Sequence, residues 1–305
     1  MGQESAPASS DAPAQVRIAE RGIVVNGLRI ATAMSDAPRH LLARAPLVVL
    51  PAAGHVWADY RSILDRFALD RRVFALDWPG FGNSQKPALA AFRYTAEGYA
   101  ELLSGWLDGL GIARAVLLGN SVGGAAAIRY AAANPRRVVG LALVAPSGFT
   151  SPGMVRTLAT RLLGTPAILR RVEPALTSLY LGPATPETRY TVAAHRVQRF
   201  DKDYPALIQA YAALWRSFNR PDADLTEVAR QVTAPVIVVR GALDPIFTAG
   251  DARRAAESLG ERGALEVVLP GAGHLPFLQQ PERFAQAVAG LIETAEARAV
   301  AEASK

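Results

Sequence analysis

The stretch that most constrains this chain is Val116-Leu-Leu-Gly-Asn-Ser-Val-Gly-Gly-Ala-Ala-Ala-Ile128. A short apolar run stops at Gly119, the polar pair Asn120-Ser121 follows, and two glycines lead into an alanine-rich segment of high helix propensity. That order predicts strand, tight turn and helix, with Ser121 at the turn. Gly119, Ser121 and Gly123 fit the pattern G-x-S-x-G. Side chains two residues before and after the serine would collide with neighbouring backbone, which favours glycine there. The helix that begins at the turn aims free N–H groups and its positive dipole end at any negative charge that develops nearby. Five residues on their own also fit a glycine-rich turn that binds nothing. The rest of the chain decides between the two.

Taken in order, the chain alternates. Ile23-Val-Val, Asn26-Gly27 and Leu28 to Ala33 predict a β-hairpin with a type I′ turn. Leu47 to Leu50 and Val73 to Leu76 are short continuous apolar runs, as expected of strands buried on both faces. Between them Trp57 to Phe67 is helical in pattern, and the second run ends in the turn-rich loop Asp77-Trp-Pro-Gly-Phe-Gly-Asn-Ser84. A helix from Thr95 to Gly109 precedes the strand that feeds Ser121, and Val138 to Val144 is the next strand. Strands alternating with helices predict an α/β fold with a mostly parallel, doubly wound sheet.

The rhythm breaks at Phe149. From 149 to 225 there is no β-branched run, only helical patterning broken by Gly and Pro. Leu158, Leu162 and Leu163 form one apolar stripe; Leu207, Ile208, Tyr211, Leu214 and Trp215 form another. This predicts an inserted helical subdomain over 149–225, within a core made of 16–148 and 226–305. Alternation resumes with the strand Pro235 to Arg240, a helix near Ala252 to Leu259, the strand Leu265 to Leu269 and a last helix from Glu282.

Composition removes several classes of function. The chain has 305 residues, half of them hydrophobic, and no cysteine, so disulfides, thiolate metal sites and a cysteine nucleophile are excluded. No apolar run approaches the roughly 20 residues of a membrane span. Residues 1–15 are rich in Ser, Ala and Pro without a secretory apolar core, and Ala6 stands where a myristoylation signal wants Ser or Thr. They read as a disordered tail on a cytoplasmic protein. The net charge is +6, but the 33 basic residues include only three lysines and are scattered among acids, which is not the stripe that nucleic acid requires.

Two further residues join Ser121. Asp244 follows the strand ending at Arg240, and His274 follows the strand ending at Leu269. Sites in open α/β sheets form outside the carboxyl ends of strands, so the three share one edge. A serine hydroxyl is a poor nucleophile until an imidazole takes its proton and a carboxylate fixes that imidazole's tautomer. Taken singly, Asp244-Pro245 is also a plain turn starter, and His274 also fits a satisfied loop histidine. Asp77 lies on the same edge, but Asp244 is favoured because its strand and the strand before His274 are consecutive, and consecutive elements are usually neighbours. Asp77 is better placed to bond the N–H groups of its own loop.

With these motifs the sequence resembles the α/β-hydrolase superfamily from about Ile23 to Ile292, in Leu50 to Trp57, Asp77 to Ser84, Gly119 to Gly124, Gly241-Ala-Leu-Asp244 and Gly271-Ala-Gly-His274. The resemblance implies an α/β-hydrolase sheet with a helical cap, a Ser121–Asp244–His274 triad, and no metal or organic cofactor. It also implies an oxyanion hole. Relatives often carry His-Gly after the third strand; here Pro51-Ala52 stands there, and proline has no N–H, so the expected donors are the backbone of Ala53 and Val122. Ser121 excludes the branches with an elbow aspartate, the haloalkane dehalogenases and epoxide hydrolases. The spelling Gly119-Asn-Ser-Val-Gly-Gly resembles hydrolases that cleave carbon–carbon bonds in ring-fission products, though esterases share it, and Leu275 stands where those C–C hydrolases usually carry Trp. Carboxylic-ester hydrolysis therefore ranks first and C–C hydrolysis second. A slow-turnover, cap-gated ligand receptor remains as a reading of another class.

Substrate contacts are expected from His55, Asn120, Tyr211 and Trp215, with His55 equally readable as a surface histidine and the aromatic residues as packing between cap and core. The expected partner is a small molecule with an apolar portion. Ten basic against six acidic residues in 149–225 fit either an anionic substrate or lipid surface, or a solvated face. Oligomeric state is left open by the sequence.

Overall fold

The computed structural model describes residues 16–36, 39–151, 153–260 and 263–303; the expected tail, 1–15, lies outside the described residues. The chain runs β1 (Ile18–Val25), β2 (Leu28–Ser35), β3 (Leu47–Leu50), a 3-10 turn (Trp57–Tyr60), α1 (Arg61–Phe67), β4 (Val73–Leu76), α2 (Ala96–Gly109), β5 (Ala115–Asn120), α3 (Val122–Ala133) and β6 (Val138–Val144). Four helices follow, α4 (Met154–Leu163), α5 (Pro166–Leu181), α6 (Pro186–Gln198) and α7 (Tyr204–Ser217). The short α8 (Thr226–Ala229), β7 (Val236–Gly241), α9 (Ala249–Ser258), β8 (Leu265–Leu269) and α10 (Pro281–Ala303) complete it.

The eight strands form one sheet in the order β1-β2-β4-β3-β5-β6-β7-β8. β1 and β2 are joined as the antiparallel hairpin that Asn26-Gly27 requires, with φ of 50° and 78° at the two turn residues. β2 is antiparallel to β4, and every later pairing is parallel. Parallel strands need helical crossovers, which cover both faces. α2, α3 and α9 pack with Leu117, Leu141 and Val238 on one face. α1 and α10 pack with Val116, Ala142 and Val239 on the other. The alternation of side chains along each strand thus feeds two cores, and β3 to β6 are buried along their whole length.

The helix expected over Trp57 to Phe67 is split. Its first turn is 3-10, with the Val56 N–H held by the Asp59 carboxylate and the Trp57 N–H by Asp77, and only Arg61–Phe67 is α-helical. α2 begins where Thr95 caps it, its Oγ1 accepting the Gly98 N–H at 3.0 Å.

A very close backbone approach lies where α3 meets the end of β3. A Cβ on Gly123 would fall 2.1 Å from the Leu50 carbonyl oxygen and 2.6 Å from that of Pro51. Gly290, in the exposed part of α10, has nothing within 4 Å of such an atom. Gly123→Ala should therefore destabilise the protein by about 1–3 kcal/mol through forced backbone shifts. Gly290→Ala should be neutral or stabilise by up to about 1 kcal/mol through helix propensity. Urea unfolding of both variants checks this; equal effects would contradict it.

Candidate active site

Ser121 follows β5 with φ 52° and ψ −116°, one of three described non-glycine residues with positive φ. Its N–H donates to Val144 O at 2.9 Å, and its carbonyl accepts from Ala125 N at 3.0 Å and Ser147 N at 3.1 Å, so neighbouring backbone holds the strained turn. The side chain is half-buried, and among the described residues its Oγ has no hydrogen-bond partner. It faces a cavity that His274, Ala53, His55, Tyr211 and Trp215 also line. Val122 is the first residue of α3, so its N–H lacks a helical acceptor and points into the region of the turn.

His274 is buried in the loop after β8, and Asp244 is buried after β7. His274 Nδ1 lies 2.7 Å from Asp244 Oδ2, while Asp244 Oδ1 accepts the Ile246 N–H at 2.8 Å and the Phe247 N–H at 3.1 Å. The carboxylate can only accept, so Nδ1 carries the proton; this tautomer is assigned from the hydrogen bonds. Nε2 is then left as the acceptor on the imidazole, and it has no protein partner among the described residues. Chemically, such an imidazole can take a proton from a hydroxyl in the cavity it lines.

Of the remaining sequence expectations, Ala53, Tyr211, Trp215 and His55 all line the cavity. Ala52 N–H is already spent on Tyr60 Oη at 2.9 Å, which leaves Ala53 as the next free amide of that loop. Asn120 differs from expectation. It is fully buried behind the turn, accepting from Tyr60 Oη at 2.8 Å and donating to Val144 O at 2.9 Å, so it braces β5 rather than facing the cavity. His55 is not on the surface either; it is fully buried. Asp77 bonds its own loop, accepting from Trp57 N at 2.8 Å and Asn83 N at 2.9 Å, although burial pushes its carboxyl up to about 7. Nine of the ten basic residues in 149–225 are exposed, and Arg156, the tenth, donates to the carbonyls of Thr150 and Phe218 in the cavity wall.

A second group of buried polar residues adjoins the cavity and was not anticipated as a unit. His55 Nδ1 is 2.7 Å from Asp59 Oδ2, and its Nε2 is 2.8 Å from Tyr180 Oη. His195, on α6, sits between two carboxylates, with Nε2 3.7 Å from Asp59 Oδ2 and Nδ1 3.4 Å from Glu173 Oε1. Burial lowers the His55 pKa, so its ring is neutral. Against burial, the His195 and His55 contacts hold the Asp59 carboxyl well below the usual carboxylate range. Against burial too, Asp59 and Glu173 push His195 up to about 9. The only sequence signal was the i, i+4 spacing of His55 and Asp59; Glu173, Tyr180 and His195 lie more than a hundred residues away.

Nitrogen and oxygen atoms of His55, Asp59 and His195 all lie within 4.8 Å of one another, a composition that can hold a metal ion. The 2.7 Å contact between His55 and Asp59 is shorter than the roughly 3.3 Å between ligands of a tetrahedral zinc with bonds of about 2.0–2.1 Å. Asp59 Oδ2 also receives the Val56 N–H at 3.2 Å. The spacing is that of a hydrogen-bonded charge cluster. Among the described residues, no helix is long and apolar enough to cross a membrane.

The alpha/beta hydrolase family profile matches residues 47–287. The chain is 32% identical over 272 residues to a pimeloyl-[acyl-carrier protein] methyl ester esterase of Chromobacterium violaceum, covering 83% of this chain and 96% of that one. It is 36% identical over 135 residues to a 2-hydroxymuconate semialdehyde hydrolase of Pseudomonas sp. strain CF600, covering 43% and 45%. The first curated relatives it matches are spanned over less than two-thirds of their length, between 38% and 61%. An enol-lactonase structure from Burkholderia xenovorans LB400 superposes with a TM-score of 0.72 at 24% identity, over 90% of this chain and 100% of that one.

Asp244→Asn should keep the fold and lower kcat at least about a hundredfold, since an amide can favour the wrong imidazole tautomer. Asp77→Asn should act on stability, by about 1–3 kcal/mol, because one loop N–H then meets an amide donor. Measuring kcat beside a thermal melt separates them, and the reverse pattern would reassign the acid. For His195, a folded value near 9 against an ordinary 6.5 means that the folded state binds the extra proton between those pH values. Its stabilisation is complete below 6.5 and is lost as pH rises through 9, with a slope of at most about 1.4 kcal/mol per pH unit. The melting temperature should fall over this range more steeply in the wild type than in His195→Gln; parallel curves would contradict the assignment.

Proposed function

We propose that this chain, which belongs to the alpha/beta hydrolase family, is a serine hydrolase that cleaves carboxylic esters through an acyl-enzyme on Ser121. The observation that carries this reading is the state of His274. One ring nitrogen is held by Asp244 at 2.7 Å, and the other is unpaired in the cavity that contains the Ser121 hydroxyl. The match along 96% of an esterase supports the choice of bond.

In this mechanism His274 Nε2 takes the Ser121 proton as Oγ attacks the ester carbonyl. The carbonyl oxygen becomes an oxyanion, held by the N–H groups of Ala53 and Val122 and by the N-terminal dipole of α3. Asp244 stabilises the imidazolium. Collapse of the tetrahedral intermediate breaks the bond to the alkoxy group, which leaves with the proton from His274. Water then repeats the sequence on the acyl-enzyme, losing its proton to His274, and releases the acid and free Ser121.

The cavity wall sets the substrate class. Tyr211, Trp215, Phe218, Ile246 and Phe247 make it largely apolar. Arg156 spends two donors on carbonyls of the wall, so it braces the cavity rather than presenting a bare cation. A neutral ester with an apolar acyl or aromatic portion fits, under a lid formed by the helices of 149–225.

A second reading, hydrolysis of a carbon–carbon bond in a ring-fission product, is favoured by the match to a 2-hydroxymuconate semialdehyde hydrolase. Against it, Leu275 is fully buried where those enzymes usually place an indole. A panel of esters of graded acyl length, with one ring-fission product included, tests the order of the two. Ester turnover is expected to exceed C–C cleavage, and Ser121→Ala should lose at least about a thousandfold in kcat with an unchanged melt. Full activity in that variant would remove Ser121 as nucleophile, and faster C–C cleavage would reverse the ranking.

A further inference from the structure

Ala53 sits in a turn whose two ends are tied down by side chains. Ala52 donates its N–H to Tyr60 Oη at 2.9 Å, and His55 donates its N–H to Ala52 O at 3.1 Å. Gly54 is the third residue of that four-residue turn, with φ of +81°, a position where glycine avoids strain. The Tyr211 ring closes over it, since a Cβ on Gly54 would lie 2.9 Å from Tyr211 Cε1. The direction of the Ala53 N–H therefore depends on where His55 is held.

His55 is held at both ring nitrogens. Asp59 takes Nδ1 at 2.7 Å and Tyr180 Oη meets Nε2 at 2.8 Å. Because the Asp59 carboxylate can only accept, Nδ1 carries the hydrogen, Nε2 accepts, and the Tyr180 hydroxyl donates. Asp59 belongs to the 3-10 turn after β3, whereas Tyr180 belongs to α5. Tyr180 also accepts the His274 N–H through its carbonyl at 2.8 Å. Its ring lies edge-on to those of both His55 and His274, with centroids 5.7 Å apart in each case. One residue of α5 thus grips the turn that carries Ala53 and the loop that carries His274.

We propose that Asp59, His55 and Tyr180 form a positioning relay that fixes the Ala53 N–H and the His274 loop together, so that the site is competent only while α5 is seated on the core. The relay rests on the hydrolase reading of Ser121, Asp244 and His274. It acts through Ala53 rather than on the reacting atoms. An amide aimed at a developing oxyanion contributes mainly as charge builds in the transition state, so its misdirection lowers kcat and leaves KM nearly unchanged.

Tyr180→Phe tests this, because it keeps the ring and the backbone carbonyl and removes only the hydroxyl that His55 accepts from. Active sites are counted by stoichiometric labelling with a fluorophosphonate, and kcat is expressed per labelled site beside KM. The expected result is one label per chain, KM within about twofold of wild type and kcat per labelled site lower by about ten- to a hundredfold, less than the 10²–10³ of deleting an oxyanion donor outright. A purely structural role would lower the number of labelled chains and leave kcat per site at the wild-type value, and that result overturns the relay. His55→Gln gives the same readout should Tyr180→Phe fail to fold, with the same expected and contrary results. Wild-type protein that is not labelled at Ser121 would overturn the hydrolase reading itself, and the relay with it, which is distinct from a labelled Tyr180→Phe variant of normal turnover.

Discussion

Ser121 adopts a backbone conformation that costs a non-glycine residue about 1–3 kcal/mol, and everything around it is arranged to keep it there. Its N–H and carbonyl are engaged by Val144, Ala125 and Ser147, which fastens the turn to β6 and to the loop beyond it. Gly119 and Gly123 let α3 sit against the ends of β5 and β3 at distances that any Cβ would forbid. The order β3-β5-β6-β7-β8 then brings the loops after those strands to one edge. The strained turn, the close backbone contact and the parallel sheet are consequently one constraint seen at three scales.

Two histidine–aspartate pairs at the same 2.7 Å separation lie beside one cavity, and they differ in what holds the other ring nitrogen. In the pair His274–Asp244, Nε2 is open to the cavity, so the imidazole is free to exchange a proton with whatever binds there. In the pair His55–Asp59, Nε2 is closed by Tyr180 and the aspartate is shared with His195. A buried imidazole with both nitrogens occupied is a strut. The same side chains thus suit reactive chemistry in one place and positioning in the other.

Much of the fold was legible because its signals are local. Asn26-Gly27 forces a hairpin, four-residue apolar runs between turn residues force buried strands, and G-x-S-x-G forces a strand-to-helix turn; each is decided within about ten residues. Ser121, Asp244 and His274 stand out in the sequence because each follows a strand, and a parallel sheet collects such positions at one edge. Asn120 was misplaced because the residue before a turn serine can point to either side of the sheet, and only Tyr60, sixty residues earlier, decides which. The cluster of Asp59, Glu173, Tyr180 and His195 escaped for the opposite reason. Its members lie on helices whose apolar stripes place them only approximately, and their meeting is a tertiary event across the join between inserted helices and sheet. His55 read equally as a substrate contact and as a surface residue, because sequence shows a histidine's polarity but not its partners.

The central claim is that the unpaired Ser121 hydroxyl becomes covalently acylated during turnover. The most direct measurement is rapid-quench mass spectrometry of the protein mixed with an excess of a fast-acylating apolar ester. The account predicts that the whole-chain mass rises by that of the acyl group within the first turnover, and that the adduct maps to the peptide carrying Ser121. Steady hydrolysis of the same ester with no covalent adduct, or an adduct on any other residue, would contradict it.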